Sequence, residues 1–446
     1  MTTTFRYLPA VIDRGTGTVS CCYADNQRSY VEHIRVDSGG PWSGVADAAA
    51  RITHLLAGVS YYKATAANVI DLSAVHSQPG DGEFLRHFVV EGLGEFAYRN
   101  DLDLDGVTVI GAPPARGAGP TTAVRATTAN RPTPVRPLIP FGGGLDSIVT
   151  VELLASRFPD AALFILNRPG DRFAAIEAAA EVTGLPVVRA ERELDAQILR
   201  SAELGLLNGH VPITGVLSAV AVLAAAAGGY DAVVMSNEHS ASAGNVQHSG
   251  REINHQWSKS LDFEERFATL VDGALDGAVR YFSELRACSE LWIAQQFAAL
   301  GQYHLSFRSC NRAFAQDPSR RAEQWCGRCD KCCFIDLILA PFLAPEQLQD
   351  IFGGHEPLHE PALADRFRTL VALSPDLKPW ECVGDVAECR AALVLAADRS
   401  DRATTPLLAR LVGELGAAAG AARAAVPSLL SPRGRHHVPD AYSPAS

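Results

Sequence analysis

A run of three consecutive glycines between two apolar segments constrains the fold of this chain more than any other feature. Residues 140–147 read PFGGGLDS; residues 138–139 before them favour a strand, and residues 148–154 after them favour a helix. Because glycine permits positive φ and close approach of the backbone, this order of strand, turn and helix can present N–H groups to a phosphate. The alternative is a glycine-rich turn without a ligand. The predicted phosphate-binding residues are Gly142, Gly143, Gly144, Asp146 and Ser147.

The overall composition favours a soluble, cytoplasmic protein. The 446 residues carry a net charge of −11, so the chain lacks the global basic field that attracts nucleic acid, and we expect no nucleic-acid partner. It has no charged-then-apolar signal pattern and no run of 18 apolar residues, so we expect no association with a membrane. A chain of this length should form two or three domains, each with its own core.

Apolar segments of strand length alternate with segments of helix length after the glycine run. The strands are expected at residues 138–139, 161–166, 187–188 and 232–235, and the helices at 148–154, 173–183 and 216–227. Alternation of this kind predicts an α/β fold, with a parallel sheet and helices on both faces. Ligands of such sheets lie beyond the carboxyl ends of the strands, so the glycine run, Asn167 and residues 236–239 should share one edge.

Changes in composition divide the chain into six parts. Short alternating segments at the start predict an N-terminal α+β domain, a stretch rich in Pro, Gly, Thr and Ala predicts a linker, and the Pro, Ser and His-rich end predicts a disordered tail. The expected bounds are 1–115 for the N-terminal domain, 116–135 for the linker, 136–262 for the catalytic domain, 263–345 for a helical region with a cysteine cluster, 346–426 for a C-terminal helical region and 427–446 for the tail.

Four of the ten cysteines have the spacing of a metal site. Cys310, Cys326, Cys329 and Cys332 are arranged C-x15-C-x2-C-x2-C. A tight x2 turn lets two thiolates share an ion, and a thiolate brought back by a loop completes a tetrahedron, so the spacing predicts a structural zinc knuckle with four cysteine ligands. The alternatives are an iron–sulfur cluster, a set of free buried thiols, and a zinc site in which Cys333 replaces Cys332.

The segment of residues 236–264 follows an expected buried strand and is dense in polar side chains. It is poor in lysine and rich in His, Asn and Trp, which is unusual for a surface loop. Acids, bases and cations lie together here, as proton transfer beside an activated carboxylate requires. The alternative is a solvated loop with incidental histidines. The residues of interest are Glu238, His239, His248, Arg251, His255 and Lys259.

The glycine run resembles the pyrophosphate loop, S-G-G-x-D-S, of the ATP-pyrophosphatase (PP-loop) superfamily, except that Gly142 stands where the family has its first serine. No lysine follows the glycines, so a Walker-type loop is excluded. Residues 325–332 (WCGRCDKC) and the upstream Cys310 resemble the cysteine motif of the superfamily enzymes that make 7-cyano-7-deazaguanine, and residues 209–214 (GHVPIT) are similar to a segment beside their nucleotide. The resemblance implies an adenine-nucleotide alpha-hydrolase-like fold that cleaves ATP to AMP and pyrophosphate.

Further motifs narrow the resemblance to one family. Over about residues 135–345 the chain is similar to the UDP-N-acetyl-α-D-muramoyl-L-alanyl-L-glutamate epimerases (MurL), through SNEHSA at 236–241, NVQHS at 245–249 and NHQWSKS at 254–260. The resemblance implies an isomerase of peptidoglycan precursor synthesis. Such an enzyme inverts the terminal L-Glu of UDP-MurNAc-L-Ala-L-Glu to D-Glu through an acyl-adenylate, with release of AMP and pyrophosphate.

The resemblance also implies roles for individual residues. The glycine loop would hold ATP with Mg²⁺, for which Asp146 is a candidate ligand, and Asn167 would lie at the nucleotide. Lys259 and Arg251 would hold the α-phosphate or the glutamate carboxylates. The candidate groups for proton transfer at the glutamate Cα are Glu238, His239, His248 and His255.

Two other functions are compatible with the motifs. One is a superfamily enzyme acting on a purine or a tRNA, which the cysteine motif suits, although the acidic net charge disfavours tRNA. The other is a non-enzymatic nucleotide-binding module, which the glycine at position 142 suggests and the retained Asp146 and Ser147 oppose.

Overall fold

The strands of the protein belong to one large sheet and one hairpin. The structure is a computed structural model that describes residues 3–37, 42–113, 136–248, 250–315, 317–374, 381, 383–440 and 442. Within these residues the strands are β1 (Thr4–Asp13), β2 (Thr18–Ala24), β3 (Ser29–Val36), β4 (Val69–Asp71), β5 (Thr108–Ile110), β6 (Pro137–Pro140), β7 (Ala162–Asn167), β8 (Val187–Glu193), β9 (Ala232–Met235), β10 (Val246–His248), β11 (Arg251–Ile253) and β12 (Arg280–Ser283).

Helices connect the strands and form the C-terminal part of the chain. They are α1 (Gly44–Ala57), α2 (Val59–Tyr62), α3 (Asp81–Gly92), α4 (Gly94–Arg99), α5 (Leu145–Ala155), α6 (Ala174–Thr183), α7 (Ala196–Leu199), α8 (Ile213–Gly228), α9 (Leu261–Leu275), α10 (Glu290–Ala298), α11 (Asp330–Leu339), α12 (Pro345–Ile351), α13 (Ala364–Leu370), α14 (Val386–Ala397), α15 (Pro406–Leu415) and α16 (Ala418–Leu429).

The sheet has ten strands in the order β12-β9-β6-β7-β8-β3-β2-β1-β4-β5. The five strands from β12 to β8 pair in parallel, which confirms the predicted α/β class. Neighbouring residues of a strand face opposite sides of a sheet, and here both sides are covered. Leu138 and Val233 belong to one hydrophobic core, whereas Ile139 and Val234 belong to a second core on the other face.

The N-terminal strands extend this sheet rather than forming a sheet of their own. Strand β3 pairs antiparallel with β8, from His33 opposite Glu193 to Val36 opposite Ala190. Strands β2, β1, β4 and β5 then continue outward from β3. Hydrogen bonds therefore connect the region predicted as an N-terminal α+β domain directly to the parallel half.

A buried ion pair lies where the two halves of the sheet meet. Arg192 on β8 donates two hydrogen bonds to the carboxylate of Glu32 on β3, at 2.7 and 3.0 Å, and a third to Ser60 Oγ at 2.8 Å. Glu32 is completely buried and Arg192 is 8% exposed. Because the geometry is bidentate, each charge has a partner that offsets its loss of water.

One region differs from the sequence prediction because it contains a hidden strand. Residues 263–345 are predicted to be helical, whereas β12 (Arg280–Ser283) lies between α9 and α10. Asp276 and Gly277 have φ values of 48° and 73°, which end α9. The strand has only four residues and its last three are buried, so it is too short to show a period of two.

Residues 427–446 are predicted to form a disordered tail, and only part of this segment is described. Within that part, Val438 and Tyr442 are buried in the core, whereas residues 434–437 are exposed. Tyr442 is fully buried and stacks on Phe158 with 4.2 Å between ring centroids, and Arg157 donates to the Tyr442 carbonyl. The predicted linker (116–135) lies wholly outside the described residues, and the remaining domain bounds stay predictions.

Among the helices in the described part of the chain, none combines the length and the apolar character that crossing a membrane would require.

Glu32→Gln should lower the free energy of unfolding by about 3–5 kcal/mol, because the buried guanidinium of Arg192 would lose its compensating charge. Glu191→Gln is the matched control. It removes a carboxylate of β8 that lies 4.0 Å from Arg35 of β3 in an exposed pair, and it should lower the free energy of unfolding by less than about 1 kcal/mol. Denaturation by guanidinium chloride, followed by circular dichroism, measures both values. Equal losses would contradict the importance of the buried pair.

Candidate active site

The topology of the sheet creates a crevice beside the glycine run. From β6 the chain proceeds to β7 and β8 on one side and to β9 and β12 on the other, so the strand order reverses between β6 and β9. In open α/β sheets, ligands bind beyond the carboxyl ends of the strands at such a reversal. We call this space the central crevice. The glycine run follows β6, and residues 236–239 follow β9, as the sequence predicts.

The three glycines of the run have different steric requirements. Gly143 has a φ of 72°, and a Cβ there would lie 3.0 Å from the carbonyl oxygen of Ala175. A Cβ at Gly144 would lie 2.9 Å from Ser309 Oγ, whereas no described atom lies within 4 Å of the corresponding position at Gly142. The turn therefore requires glycine at position 143, where φ is positive and the obstacle is backbone. A Cβ at position 144 would displace the Ser309 hydroxyl, and the space beside Gly142 is open.

Helix α5 begins directly after the glycines and directs its N-terminus at the crevice. Gly144 is the N-cap residue, and Asp146 lies in the first turn. The Ser147 hydroxyl donates to the Gly144 carbonyl at 3.0 Å, and the Arg308 amide donates to the Gly143 carbonyl at 3.1 Å. The free N–H groups of a first helical turn favour an anion at this point.

Three carboxylates meet in the central crevice. Oxygen atoms of Asp146, Glu238 and Glu290, which we call the carboxylate cluster, lie within 4.8 Å of one another. Glu238 and Glu290 are each 4% exposed. Burial, together with the charge of Glu238, raises the pKa of Asp146 to about 6. Burial and the same neighbouring carboxylates raise the pKa of Glu290 well above its ordinary value. Such a group of carboxylates can coordinate a divalent cation.

Two lysines contribute positive charge to the carboxylate cluster. Lys259 and Lys331 both counteract the rise in the pKa of Asp146. Lys259 is one of the site residues that the sequence predicts, and Lys331 lies between two cysteines of the predicted metal motif. The crevice therefore combines acidic groups that suit a cation with basic groups that suit an anion.

Arg286 holds the surroundings of the crevice in place. It is 1% exposed, and its guanidinium donates to the Glu238 carbonyl at 2.6 Å, the Lys259 carbonyl at 2.6 Å and the Glu264 carboxylate at 2.9 Å. Glu264 also accepts a hydrogen bond from the Ser283 amide. One buried side chain thus ties the ends of β9 and β12 to the start of α9.

Asn167 lies at the end of β7, in a cleft of about 780 Å³ that residues 168–172 and 189–191 also line. Its side-chain nitrogen is buried and has no protein partner among the described residues. Arg189 and Arg321 also line the cleft. The position of Asn167 is consistent with its predicted place on the ligand-binding edge.

Residues 251–262, which we call the docking segment, lie against α3 and α4. Arg251 pairs with Glu91 at 2.6 Å and with Asp105, and the Trp257 ring lies 6.1 Å from that of Phe88. Arg251 is predicted to bind an anion of the ligand, whereas the structure pairs it with two carboxylates of the protein.

The predicted histidines lie in different surroundings. His239 lines a cavity of about 340 Å³. Its ring lies close to Gly434, where an added Cβ would be 3.1 Å from the ring. Burial and the charge of Arg433 lower the pKa of His239. His255 forms a short hydrogen bond with Glu95 of α4. His248 lies in β10, and its side chain is outside the described part of the structure.

The four predicted cysteines come together. The sulfur atoms of Cys310, Cys326, Cys329 and Cys332, which we call the thiol cluster, lie within 4.8 Å of one another. Cys332 lies 3.6 Å from Cys326 and 3.4 Å from Cys329. The neighbouring Cys333 is also buried but is not a member of the cluster, which favours Cys332 as the fourth donor.

Sequence reasoning missed three residues of the site. Glu290 lies directly after Ser289, the N-cap of α10. A helix start is not expected there, because the sequence predicts residues 263–345 as helical and gives no sign of β12. Lys331 is inside the cysteine motif, where the x2 spacing drew attention only to the thiols. Glu95 carries no local signal, because its partner His255 is 160 residues away.

These features define an α/β protein that can hold an anionic ligand and a cation at the reversal point of a parallel sheet, with a four-thiol cluster beside that site. Comparison with known proteins specifies the family. The model of the MurL N-terminal domain matches residues 1–284, and the model of the MurL C-terminal domain matches residues 306–426. The chain therefore belongs to the MurL family.

Individual relatives agree with this assignment. A protein of Xanthomonas oryzae pv. oryzae (strain MAFF 311018), named UDP-N-acetyl-alpha-D-muramoyl-L-alanyl-L-glutamate epimerase, is 36% identical over 98% of this chain and 95% of its own length. Relatives of the same name from Micromonospora sp. (strain ATCC 39149 / NRRL 15099 / SCC 1413) and Salinispora tropica (strain ATCC BAA-916 / DSM 44818 / JCM 13857 / NBRC 105044 / CNB-440) are 36% and 37% identical. Each match covers 88% of this chain, and 84% and 82% of the respective relative. No solved structure matches the chain.

Gly143→Ala should lower the free energy of unfolding by at least about 1–2 kcal/mol, because alanine would be forced into a left-handed conformation and against the backbone of Ala175. Gly142→Ala is the control, since its Cβ would enter open space, and should change stability by less than about 0.5 kcal/mol. Thermal and chemical denaturation of the two variants measure the difference. A tolerated alanine at position 143 would show that the turn has another conformation.

Proposed function

We propose that the protein is an ATP-dependent epimerase that inverts the terminal L-Glu of UDP-MurNAc-L-Ala-L-Glu to D-Glu during peptidoglycan precursor synthesis. The observation that carries the proposal is the likeness to the Xanthomonas oryzae epimerase over 98% of this chain. The substrate is a small molecule, and the net charge of −11 disfavours a nucleic-acid partner. Reactants of this kind, ATP and a UDP-linked precursor, make the cytoplasm the proposed location.

The chemistry of glutamate explains why ATP would be consumed. The proton on the glutamate Cα is a very weak acid while the adjacent carboxylate is charged, because its removal would create a dianion. Adenylation converts the carboxylate into a mixed anhydride without that charge, so an ordinary side-chain base can remove the proton. Pyrophosphate leaves when the mixed anhydride forms. Reprotonation on the opposite face, followed by hydrolysis of the anhydride, then gives the terminal D-Glu and AMP.

We propose that the glycine run is the pyrophosphate loop of a PP-loop fold. The positive φ of Gly143 and the start of α5 support this role, because they direct N–H groups towards the crevice. The cleft at Asn167 has the volume for the nucleoside part of ATP. The open space at Gly142 is where the superfamily serine would otherwise place its hydroxyl.

The carboxylate cluster is the proposed site of Mg²⁺. Asp146, Glu238 and Glu290 fit this ion because their oxygen atoms converge within 4.8 Å and their burial makes an unbalanced set of charges costly. Bound Mg²⁺ supplies positive charge that favours departure of pyrophosphate. Lys259 is proposed to hold the α-phosphate or a glutamate carboxylate. The two lysine charges at Asp146 support this assignment.

The thiol cluster is the proposed site of a structural zinc ion. A tetrahedral ion with Zn–S distances of about 2.3 Å separates its sulfurs by roughly 3.8 Å, close to the separations of 3.4 and 3.6 Å measured around Cys332. The sequence neighbours of the cluster reach the proposed active site, since the Arg308 amide donates to the Gly143 carbonyl and the charge of Lys331 acts on Asp146. Zinc would therefore fix Arg308 and Lys331 beside the glycine turn and the carboxylate cluster.

Incubation with UDP-MurNAc-L-Ala-L-Glu, ATP and Mg²⁺ in D₂O should yield UDP-MurNAc-L-Ala-D-Glu with one deuterium at the glutamate Cα, together with AMP and pyrophosphate. Chiral analysis and mass spectrometry of the released glutamate measure inversion and exchange. The reaction without ATP and the Asp146→Asn variant are the controls, and both should lose product. AMP formation without inversion would reject the epimerase, and absence of AMP would favour a purine or tRNA substrate or a binding module.

Cys332→Ala should remove zinc from the purified protein and reduce AMP formation, because the groups beside the glycine turn would lose their support. Cys333→Ala is the matched control and should retain about one zinc per chain, since this adjacent buried thiol is outside the cluster. Elemental analysis by mass spectrometry gives the metal content. Equal loss of zinc from the two variants would contradict the assigned ligand set. Detection of iron and sulfide instead of zinc would show that the cluster holds an iron–sulfur centre.

A further inference from the structure

A second cluster of ionisable side chains lies between the docking segment and the N-terminal helices. Ligand atoms of Glu95, His210 and His255 lie within 4.8 Å of one another. Glu95 belongs to α4, His210 precedes α8, and His255 is in the docking segment. The proposed binding of ATP and Mg²⁺ uses none of these residues.

Glu95 is held so that its two oxygens have different partners. Oε1 accepts a hydrogen bond from Arg99 at 2.6 Å, and Oε2 forms the short hydrogen bond with His255 Nδ1. The Glu95 side chain is 7% exposed. Burial would raise the pKa of Glu95, but the hydrogen bond with His255 and the charges of the nearby bases hold it below its ordinary value. Glu95 is therefore a carboxylate at neutral pH.

The contact with Glu95 fixes the orientation of the His255 ring. A carboxylate accepts a hydrogen, so Nδ1 is the protonated nitrogen of neutral His255 and Nε2 carries the lone pair. The backbone amide of His255 is also fixed, since it donates to Asn245 Oδ1 at 2.8 Å. The side chain is 17% exposed, so the ring is accessible from solvent. A carboxylate and imidazole in this relation make a general base.

The connection of the elements brings this pair to the edge where the substrate is proposed to bind. Helices α8 and α9 each precede a parallel strand, so their N-termini lie at the carboxyl ends of the strands. His210 comes just before α8, and His255 lies four residues before Lys259 at the start of α9. The carboxylate cluster occupies the same edge.

We propose that His255 is a catalytic base of the epimerisation and that Glu95 is its positioning residue. The inference rests on the proposed function and assigns one of the proton-transfer groups. Nε2 of neutral His255 takes the proton from Cα of the adenylated glutamate, and the C–H electron pair moves into the enolate of the mixed anhydride. Glu95 stabilises the resulting imidazolium. A second acid, on the opposite face, returns a proton to Cα.

The surroundings of His255 keep the neighbouring His210 neutral. The rings of His210 and His255 have centroids 4.5 Å apart, and burial together with the charge of His255 lowers the pKa of His210 to about 4. The charged groups around the pair are Glu95 and Arg99 of α4 and Lys63 after α2. The positive charges of Lys63 and Arg99 also disfavour protonation of His210. His210 therefore lets a single positive charge develop on His255.

Two variants of the full-length protein test the assignment through separate measurements of AMP release and deuterium incorporation at Cα in D₂O. His255→Gln should continue to form AMP while exchange falls about 100-fold or more, because adenylation does not need the base. Glu95→Gln keeps a hydrogen-bond acceptor but removes the charge, and exchange should fall about tenfold or more. In Glu95→Gln, the ascending limb of the plot of exchange rate against pH should also move to lower pH, because the His255 imidazolium loses its counter-charge. Glu95→Asp should restore that limb partly.

The matched control is His87→Gln. His87 also pairs with a carboxylate of the docking segment, Asp262 at 2.9 Å, but lies outside the proposed machinery, so both measurements should stay within about twofold of the wild type. Unchanged exchange in His255→Gln, or equal loss of AMP and exchange in both variants, would overturn the inference.

Two further results are decisive. Absence of dipeptide-dependent AMP from the wild-type protein would reject the proposed function and the inference with it, whereas normal wild-type turnover with the contrary results above would reject the inference alone. A second bound metal ion, lost in His255→Gln and retained in Cys332→Ala, would show that Glu95, His210 and His255 are metal ligands and would overturn the assignment of a base.

Discussion

The buried guanidinium of Arg286 is the interaction on which the geometry of the central crevice depends. It joins two strand ends, a turn and a helix by hydrogen bonds to the carbonyls of Glu238 and Lys259 and to the Glu264 carboxylate. An arginine suits this place because its planar fork offers several donors in fixed directions. The backbone positions of Glu238 and Lys259 are therefore fixed by Arg286, and their side chains remain available to the crevice.

The N-terminal region takes part in the site through the docking segment. Glu91, Glu95 and Asp105 all direct carboxylates at this segment, and the aromatic contact of Trp257 with Phe88 adds apolar area to the interface. Like-charged carboxylates on one surface are stable here because each has a basic partner. A segment that carries proposed catalytic groups is thus ordered by a region far from it in the chain.

Local patterns predicted those parts of the molecule that depend on short stretches of sequence. The strands at 161–166 and 232–235 follow from continuous apolar runs, the turn at Gly143 follows from its need for positive φ, and the thiol cluster follows from cysteine spacing. The pairing of Arg251 and the position of Glu290 could not be predicted, because each depends on contacts between distant segments. Composition also gave no sign that Tyr442, within residues 427–446, is buried against Phe158.

The pairing of β3 with β8 has a consequence for the nascent chain. Glu32 and Arg192 are 160 residues apart, so at 5–20 residues per second β3 leaves the ribosome roughly 8–32 s before its partner strand. During that interval its edge is open to pairing with other chains. Glu32, which is completely buried in the finished sheet, then faces water as an unpaired charge on an otherwise apolar strand face. The same carboxylate that joins the two halves of the sheet would therefore protect the unfinished protein from aggregation.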